Sequence, residues 1–288
     1  MSENILWFDE ISKESAGKVG GKALRLSELK KGGFKVPKAF CLTTDLYELF
    51  LKHNKLGPRL SMLRVGRDKS ILKTICERII KQILKGKIPG DIREEINRNV
   101  KKLDADRLAI RSSATCEDLQ LASFAGQFES YLDVLVDQIF DNVRKCWASI
   151  FSNRVLTYTL YHDIALARVK MAVLVQEMID GDKGGVMFTK NIIDVSQPYV
   201  VLIEASKGKA DDVVSGLVEP ERVIVNKKTQ KVMSWNTPNC KVLNESEVKQ
   251  LVKLAMEIED YYQGVPQDIE WVIKDKKIFV LQSRPITA

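Results

Sequence analysis

The feature that most constrains the fold is the segment 268–285, DIEWVIKDKKIFVLQSRP, in which two apolar runs flank a short charged stretch. Two such runs separated by a few polar residues predict an antiparallel β-hairpin. Because side chains of a strand alternate between faces, Asp268 and Glu270 share one face of the first arm, and Ile269 and Trp271 share the other. The hairpin is therefore expected to have one polar and one apolar face.

The same alternation predicts the register of the hairpin. If Glu270 lies opposite Gln282, the loop consists of residues 275–277, a common length, and Asp268 lies opposite Arg284. The apolar side chains then form one continuous face: Ile273, Phe279, Trp271 and Leu281. A two-residue loop would place Glu270 on the face of Leu281 and mix the two sets of side chains.

The polar face of this hairpin has two interpretations. It is an ordinary solvated strand face with a cross-strand pair of Asp268 and Arg284, which contributes little stability. Alternatively, it is a divalent-metal and phosphate site, since oxygens of Glu270 and Gln282 suit Mg²⁺ and a guanidinium forms charge-assisted bonds to phosphate. The rest of the chain is needed to decide.

Composition excludes several classes of protein. The chain has 288 residues, 45% hydrophobic and 29% charged, as expected of one or two soluble globular domains. It shows no apolar run long enough for a signal peptide or a membrane span, and its five scattered cysteines include no CxxC pair. We therefore expect a cytoplasmic protein without a membrane or zinc partner. Two histidines make a histidine-based metal site or triad improbable.

The net charge of +7 raises the question of nucleic acid. The excess lies mainly in residues 59–87 and 93–102, where charges alternate with apolar residues at helical spacing. This pattern is typical of solvated faces of amphipathic helices, and no aromatic residues are interleaved with the charges. We predict no nucleic-acid partner; a polyanionic small molecule accounts for the charge equally well.

Helical and strand patterns divide the chain into two parts. The first is helix-rich, with helices expected near 22–31, 44–52, 68–86, 90–102 and 137–161 and one strand at 107–113. The second is sheet-rich and contains one amphipathic helix, SEVKQLVKLAMEIEDYY. We predict an α+β protein whose first lobe covers residues 1–168 and whose second lobe covers residues 169–288.

The segment GKVGGKA contains the first candidate phosphate contact. It is not a P-loop, because Ala16 stands where the first glycine is required and Ala23 follows the lysine. Lys22 still lies beside two glycines at a predicted helix start, where free amides and the helix dipole favour anions. The alternative is a surface lysine.

A long polar loop follows the strand at 107–113. Arg111 leads into hydroxyl-bearing residues (Ser112, Ser113 and Thr115), and the loop ends at 125–127, Ala-Gly-Gln. Hydroxyls, amides and one arginine at a strand end suit oxyanion recognition. The carboxylates of Glu117 and Asp118 fit either a metal or plain solvation.

The segment VLVQEMIDGDKGGVMFT predicts a strand that ends at Gln176-Glu177-Met178, then a glycine-bearing turn and a second strand. Backbone groups at such a strand edge are able to recognise an adenine, but the pattern is common in proteins.

Taken together and in order, GGKALRLSEL, RSSATCEDLQLASFAGQ, VQEMIDGDKGGVMFT, VVSGLVEPERV, IEW and LQSRPIT closely resemble the N-terminal nucleotide-binding domain of the phosphoenolpyruvate synthase and pyruvate phosphate dikinase family, which includes rifampicin phosphotransferases. The resemblance covers about residues 5–287. It implies an ATP-grasp-like fold with ATP bound between two lobes. It also implies phosphorylation of a histidine on a separate swivelling domain, and a third domain that passes the phosphoryl group to pyruvate or another acceptor.

The resemblance also implies a role for each candidate residue. Lys22 and Arg111 would contact the ATP phosphates, with Arg284 as a phosphate clamp. The nucleotide pocket would be lined by Gly126, Ser130 and Tyr131, with Gln176, Glu177 and Met178 as its adenine hinge. Glu270 and Gln282 would hold Mg²⁺, supported by Asp268.

The chain departs from the family pattern in two ways. The run SKGKADD at 206–212 stands where the family usually has Trp-Gly-Leu-Gly-Glu, which puts any role of Asp211 in doubt. The chain also contains no phosphocarrier histidine motif, and His53 and His162 lie in helical segments without that context. The leading hypothesis is the ATP-binding part of a phosphoenolpyruvate synthase-like enzyme. The alternatives are the same part of a rifampicin phosphotransferase, or a non-catalytic nucleotide-binding module.

Overall fold

A computed structural model of the chain describes residues 4–63, 68–115, 118–119, 122–123, 127–194, 196–208, 210, 213, 216–238 and 240–286. The chain divides into two compact units. The first contains residues 1–27 and 38–178, and the second contains residues 28–37 and 179–288.

The first unit is built on an antiparallel five-stranded sheet. Its strands are β1 (Ile5–Trp7), β2 (Ala39–Leu42), β3 (Arg107–Ala114), β6 (Ser130–Leu135) and β7 (Met171–Glu177), in the spatial order β1-β2-β7-β3-β6. Two short strands, β4 (Asp118–Leu119) and β5 (Ala122–Ser123), pair with each other in the segment that connects β3 to β6. After β3, the strand that carries Arg111, the chain therefore enters this small ribbon and returns as β6, which pairs with β3.

Helices account for most of the remaining first unit. They are α1 (Ala16–Lys31), which continues into the second unit, α2 (Thr44–His53), α3 (Gly57–Leu60), α4 (Lys69–Lys85), α5 (Gly90–Leu103), α6 (Ile139–Ser149) and α7 (Asn153–Tyr161). Helices α4 and α7 begin where Asp68 and Ser152 accept hydrogen bonds from the amides of Ser70 and Val155. The apolar faces of α2, α4, α5 and α6 share one core with the sheet, and in this core Trp147 is fully buried, with its ring 4.6 Å from that of Phe50.

The second unit is a six-stranded antiparallel sheet covered on one face by a helix. The strands are β8 (Lys183–Phe188), β9 (Val200–Lys207), β10 (Glu221–Asn226), β11 (Val232–Asn236), β12 (Gln267–Lys274) and β13 (Lys277–Pro285), in the order β11-β10-β9-β8-β12-β13. Helix α8 (Glu245–Tyr261) starts with a capping box of Asn244 and Glu247. Its apolar face shares a core with Trp271, Ile273 and Val280. The opposite face of the sheet carries the polar side chains of β12 and β13.

The α+β class is confirmed, and the observed division differs in detail from the expected one at 168/169. Strand β7 pairs with β2 on one side and β3 on the other, so residues up to Met178 belong to the first unit. Residues 28–37 belong to the second unit. There, the carbonyl of Lys35 accepts a hydrogen bond from Val280, and the ring of Phe34 packs against Tyr261.

The hairpin of β12 and β13 has the predicted pairing at its polar end. Glu270 lies opposite Gln282, and Asp268 lies opposite Arg284. The expected three-residue loop is wrong: Lys274 pairs with Lys277 around a two-residue turn, Asp275-Lys276, with φ of 49° and 60° at these residues. Positive φ at both central positions is the geometry that suits the twist of a hairpin.

A β-bulge reconciles the short turn with the predicted pairing. The register shifts between Glu270 and Trp271, so that Trp271 lies opposite Val280 and Leu281 is the extra residue. Val280, which is fully buried, therefore packs with Trp271 in the core, and the prediction that Leu281 and Phe279 fill that face is wrong. A single extra residue reverses the alternation of one strand, which pattern alone did not reveal.

Among the described residues, none of the helices combines the length and the apolar character needed to cross a lipid bilayer.

Candidate functional site

In the first unit, a close backbone approach places Lys22 at the end of β3. Helix α1 is interrupted at Gly20, which has a φ of 73°. A Cβ atom there would lie 2.2 Å from the carbonyl oxygen of Ser113, so a larger residue would force the two segments apart. The amide of Ala23 donates to Ser113 Oγ at 3.2 Å. Lys22 therefore lies in the first turn of the helical run that is joined to the strand carrying Arg111.

Arg111 is a buried residue of β3, with 8% of its surface exposed. It lies opposite Ser130 of β6 on one side and Leu174 of β7 on the other. Because faces alternate, Arg111 and Ser113 project to the same side of the sheet, and Ser113 is the residue that meets α1. The structure thus brings the two predicted phosphate contacts of the first unit, Lys22 and Arg111, to neighbouring positions.

The thiol of Cys146 on α6 is fully buried beside the start of β6. Burial raises the pKa of Cys146, an effect that the charge of Lys22 opposes and that of Glu129 reinforces. The thiol is 3.8 Å from the carbonyl oxygen of Glu129, the residue before β6. Helix α6, which carries Cys146, therefore contacts the start of β6 at Glu129.

Tyr131 lies on the other face of the sheet from Arg111. It is opposite Ile110, and its ring is 5.4 Å from the ammonium of Lys145 on α6. Burial raises the pKa of the Tyr131 phenol to about 12. With Gln138 and Asn142 it lines a polar cleft of about 390 Å³ beside α6. Of the two β6 residues predicted for the nucleotide pocket, only Ser130 is on the side of Arg111.

The predicted hinge residues end strand β7. The amide of Glu177 donates to the carbonyl of Lys38 and that of Met178 to the carbonyl of Arg107, so both are engaged within the first unit. The side chain of Gln176, 2% exposed, lies between Ala39 and Ala109 on the neighbouring strands. Its Nε2 atom is a buried donor with no acceptor among the described residues, a rare condition that a bound ligand would relieve.

In the second unit, Glu270 and Gln282 form a facing pair on adjacent strands. Glu270 is half-buried and Gln282 is 8% exposed. A carboxylate and a carboxamide in this arrangement are two side chains that offer oxygen atoms from one sheet face. Oxygen donors of this kind are the ligands that Mg²⁺ accepts.

Beside this pair, Asp268 holds Arg284. The guanidinium donates from Nε to Asp268 Oδ2 at 2.8 Å, and its Nη2 atom lies 2.6 Å from the same oxygen. Burial raises the pKa of Asp268, although Arg284 acts in the opposite direction. The carboxylate of Asp268 is thus engaged by Arg284, while Glu270 and Gln282 face each other at the adjacent pair of positions.

The oxygen atoms of Glu270 and Gln282 fit a magnesium ion. The described part of the chain contains no group of three or more His, Cys, Asp or Glu side chains arranged to hold a metal. Mg²⁺ does not need such a group, because it usually takes one or two protein oxygens and completes its shell with phosphate and water. Glu270 and Gln282 supply that number.

Two parts of the predicted site lie outside the described residues. These are Gly126, predicted to line the nucleotide pocket, and the segment around Asp211, for which the sequence leaves any role in doubt. Two other features were missed by the sequence reasoning. Glu204 and Arg222 form an ion pair of 2.6 Å on β9 and β10, in the row that contains Glu270. Arg154 on α7 contacts the segment before β6. Both depend on contacts between distant segments, for which the sequence offers no local signal.

Comparison with known proteins defines the class to which this chain belongs. The family model described as pyruvate phosphate dikinase, AMP/ATP-binding domain matches residues 16–242 and 233–288. The chain belongs to this family.

Three relatives illustrate the range of proteins that contain such a domain. The probable phosphoenolpyruvate synthase of Methanothermobacter thermautotrophicus is 35% identical over 100% of this chain and 46% of its own length. The rifampicin phosphotransferase of Bacillus cereus is 35% identical over 100% of this chain and 36% of its own length. The phosphoenolpyruvate synthase of Pyrococcus furiosus is 32% identical over 98% of this chain and 44% of its own length. The chain therefore spans less than half the length of each.

Among solved structures, D-alanine–D-alanine ligase from Bacillus anthracis covers 93% of this chain and 60% of its own, with 10% identity and a TM-score of 0.38. The ATP-grasp ligase PsnB complexed with a precursor peptide and AMPPNP covers 92% of this chain and 50% of its own, with a TM-score of 0.33.

Proposed function

We propose that this chain binds MgATP and is the nucleotide-binding part of a phosphoenolpyruvate synthase-like phosphotransferase. The observation that carries the proposal is the facing pair of Glu270 and Gln282 beside the Arg284–Asp268 ion pair, in a chain that belongs to an AMP/ATP-binding family. A solvated strand face needs no buried carboxamide opposite its carboxylate, and it needs no carboxylate dedicated to holding an arginine.

Each set of residues has a role in this proposal. Lys22 and Arg111 neutralise phosphate oxygens, and Arg284, oriented by Asp268, clamps a phosphoryl group. Ser130, Gly126 and the hinge, Gln176 to Met178, line the nucleoside part of the site; the role proposed for Tyr131 is indirect, through β6. Glu270 and Gln282 hold Mg²⁺, which when bound neutralises developing charge on the phosphates. Phosphoryl transfer requires little covalent work from the protein, so positioning and charge neutralisation are the contributions these residues make.

The phosphoryl acceptor in this proposal is a histidine on a separate phosphocarrier domain, from which a further domain passes the group to pyruvate. The relatives are longer than the chain, which supports the existence of such domains in the full-length proteins. Because the site uses MgATP and the described cysteines are free thiols, we propose the cytoplasm as its compartment. A rifampicin phosphotransferase with the same nucleotide-binding part is the second candidate, supported by the relative from Bacillus cereus.

MgATP binding is the direct test of the proposal. Titration calorimetry is expected to show binding of ATP in the presence of Mg²⁺ and much weaker binding with EDTA, because Glu270 and Gln282 reach the nucleotide through the metal. Absence of magnesium-dependent heat at millimolar ATP would refute the proposal.

Transfer of a labelled phosphoryl group from ATP distinguishes the nucleotide-binding part of an enzyme from a module that only binds nucleotide. With ATP labelled at the β-phosphoryl group, the chain alone is expected to turn over little, since it contains no phosphocarrier motif. Addition of a phosphocarrier histidine domain from a phosphoenolpyruvate synthase or from a rifampicin phosphotransferase is expected to produce a labelled domain. The domain that receives more label shows whether the chain acts with a phosphoenolpyruvate synthase or with a rifampicin phosphotransferase. Rapid hydrolysis by the chain alone, or no label on either domain, would contradict the proposed role.

A further inference from the structure

Arg154, in the first turn of α7, makes contacts that the proposed roles do not use. Its Nε and Nη2 atoms donate to the carbonyl oxygen of Gln127 at 3.1 and 2.8 Å. The Nη2 atom is also 3.5 Å from Glu129 Oε1. The start of α7 is itself fixed, because Ser152 Oγ accepts a hydrogen bond from the amide of Val155. One guanidinium on a capped helix therefore holds a single backbone carbonyl with two bonds.

The segment held by Arg154 lies directly beside the proposed phosphate contact. The carbonyl oxygen of Glu129 accepts a hydrogen bond from the amide of Ser112 at 3.4 Å, and Ser130 lies opposite Arg111. Residues 127–130 are thus bound on one side by Arg154 and on the other by the strand that carries Arg111. Displacement of this segment would move the neighbours of Arg111 without removing any group that touches the nucleotide.

We infer that Arg154 is a positioning residue for phosphate binding, which acts by holding residues 127–130 against β3. This inference rests on the proposed function, and it adds a residue that contacts no ligand.

A competing explanation exists for the same contacts. In this explanation, Arg154 offsets the charge of Glu129, whose carboxylate would otherwise repel phosphate near Lys22. Both side chains of this ion pair are about half exposed, 50% and 51%, so the pair by itself contributes little. The two hydrogen bonds from Arg154 to the carbonyl oxygen of Gln127 favour the explanation in which Arg154 holds residues 127–130 against β3.

The test compares Arg154→Gln and Arg154→Lys with the wild-type chain. Arg154→Gln is expected to weaken MgATP binding roughly tenfold or more, as small displacements of binding groups do, and to weaken AMP binding less. Arg154→Lys keeps one donor to Gln127 and is expected to recover part of the affinity. Arg144→Gln is a matched control, because Arg144 also bonds a carbonyl, that of Gly86 at 3.3 Å, and pairs with a carboxylate, that of Asp141. It is expected to leave MgATP affinity unchanged.

Amide hydrogen exchange of the ligand-free protein supplies a readout that does not depend on ATP. Residues 127–130 and Ser112 are expected to exchange faster in Arg154→Gln than in the wild type and in Arg144→Gln, with the remaining strands unchanged. Unchanged exchange in this segment, or equal losses for MgATP and AMP, would overturn the inference.

A double variant decides between holding and charge compensation. Adding Glu129→Gln to Arg154→Gln is expected to leave MgATP affinity low; if it restored wild-type affinity, charge compensation would be the role and the inference would be overturned. A wild-type chain that binds no MgATP would overturn the proposed function and this inference together. Normal wild-type binding with an unaffected Arg154→Gln variant would overturn the inference alone.

Discussion

Replacing Trp271 by alanine is expected to lower the free energy of unfolding by about 3–5 kcal/mol, the cost of truncating a fully buried aromatic side chain. Trp271 is 0% exposed and lies in the core of the second unit with Ile269, Ile273 and Val280. Its indole nitrogen has no hydrogen-bond partner among the described residues, so the loss comes from packing. Chemical denaturation followed by circular dichroism measures the effect.

Three further variants make this prediction specific to the observed register. Trp271→Phe is expected to cost much less, because no hydrogen bond of the indole is lost. Val280→Ala is expected to cost about 1.5–3 kcal/mol, the value of burying a valine, and more than Leu281→Ala, although leucine is larger. If Leu281→Ala proved the more destabilising of the two, the β-bulge beside Glu270 would be refuted.

Replacing Glu270 by glutamine is expected to weaken magnesium-dependent ATP binding at least about tenfold, since even changes next to metal ligands reduce metal affinity by that factor. Glutamine keeps the shape of the side chain and removes the charge that attracts Mg²⁺. The side chain is half-buried on the polar face of the sheet, outside the core, so stability is expected to change by only about 0.5 kcal/mol. Calorimetry with Mg²⁺ and with EDTA measures the first effect, and thermal unfolding measures the second.

Glu257→Gln is the matched control, because Glu257 is an exposed carboxylate of the second unit that pairs with Lys253 on α8. It is expected to bind MgATP like the wild type. Wild-type affinity in Glu270→Gln, or an equal loss in Glu257→Gln, would show that the metal is held elsewhere. Equal weakening of ATP binding with and without Mg²⁺ would likewise exclude Glu270 as a metal ligand.

Much of the site was predictable because its residues lie at fixed spacings within single strands. The alternation of side chains predicted the pairing of Glu270 with Gln282 and of Asp268 with Arg284 before any family was considered. The structure has this pairing, although the three-residue loop expected with it is wrong. The motifs around Lys22, Arg111 and the final hairpin then identified the family, which the match over nearly the whole chain confirms. Their assignment as phosphate and metal contacts stays a prediction.

Other features were not predictable, because they depend on how segments far apart in the chain pack together. Gly20 is required by the carbonyl of Ser113, a residue more than ninety positions away. Strand β7 belongs to the first unit because β2 and β3 provide its partners. Tyr131 faces Lys145 and away from Arg111, an orientation set by the pairing of β6 with β3. Sequence periodicity carries no information about such partners.

The sequence by itself determined the α+β class, the family and the polar ends of the last hairpin, because each follows from residue types at short, regular separations. Only the tertiary structure decided that the hairpin has a two-residue turn and a bulge, and that Val280 rather than Leu281 meets Trp271. The physical reason is that a three-residue loop without a bulge and a two-residue turn with a bulge both place Glu270 opposite Gln282. The choice depends on which side chains fill the space beneath α8, and that space exists only once the helix has packed on the sheet.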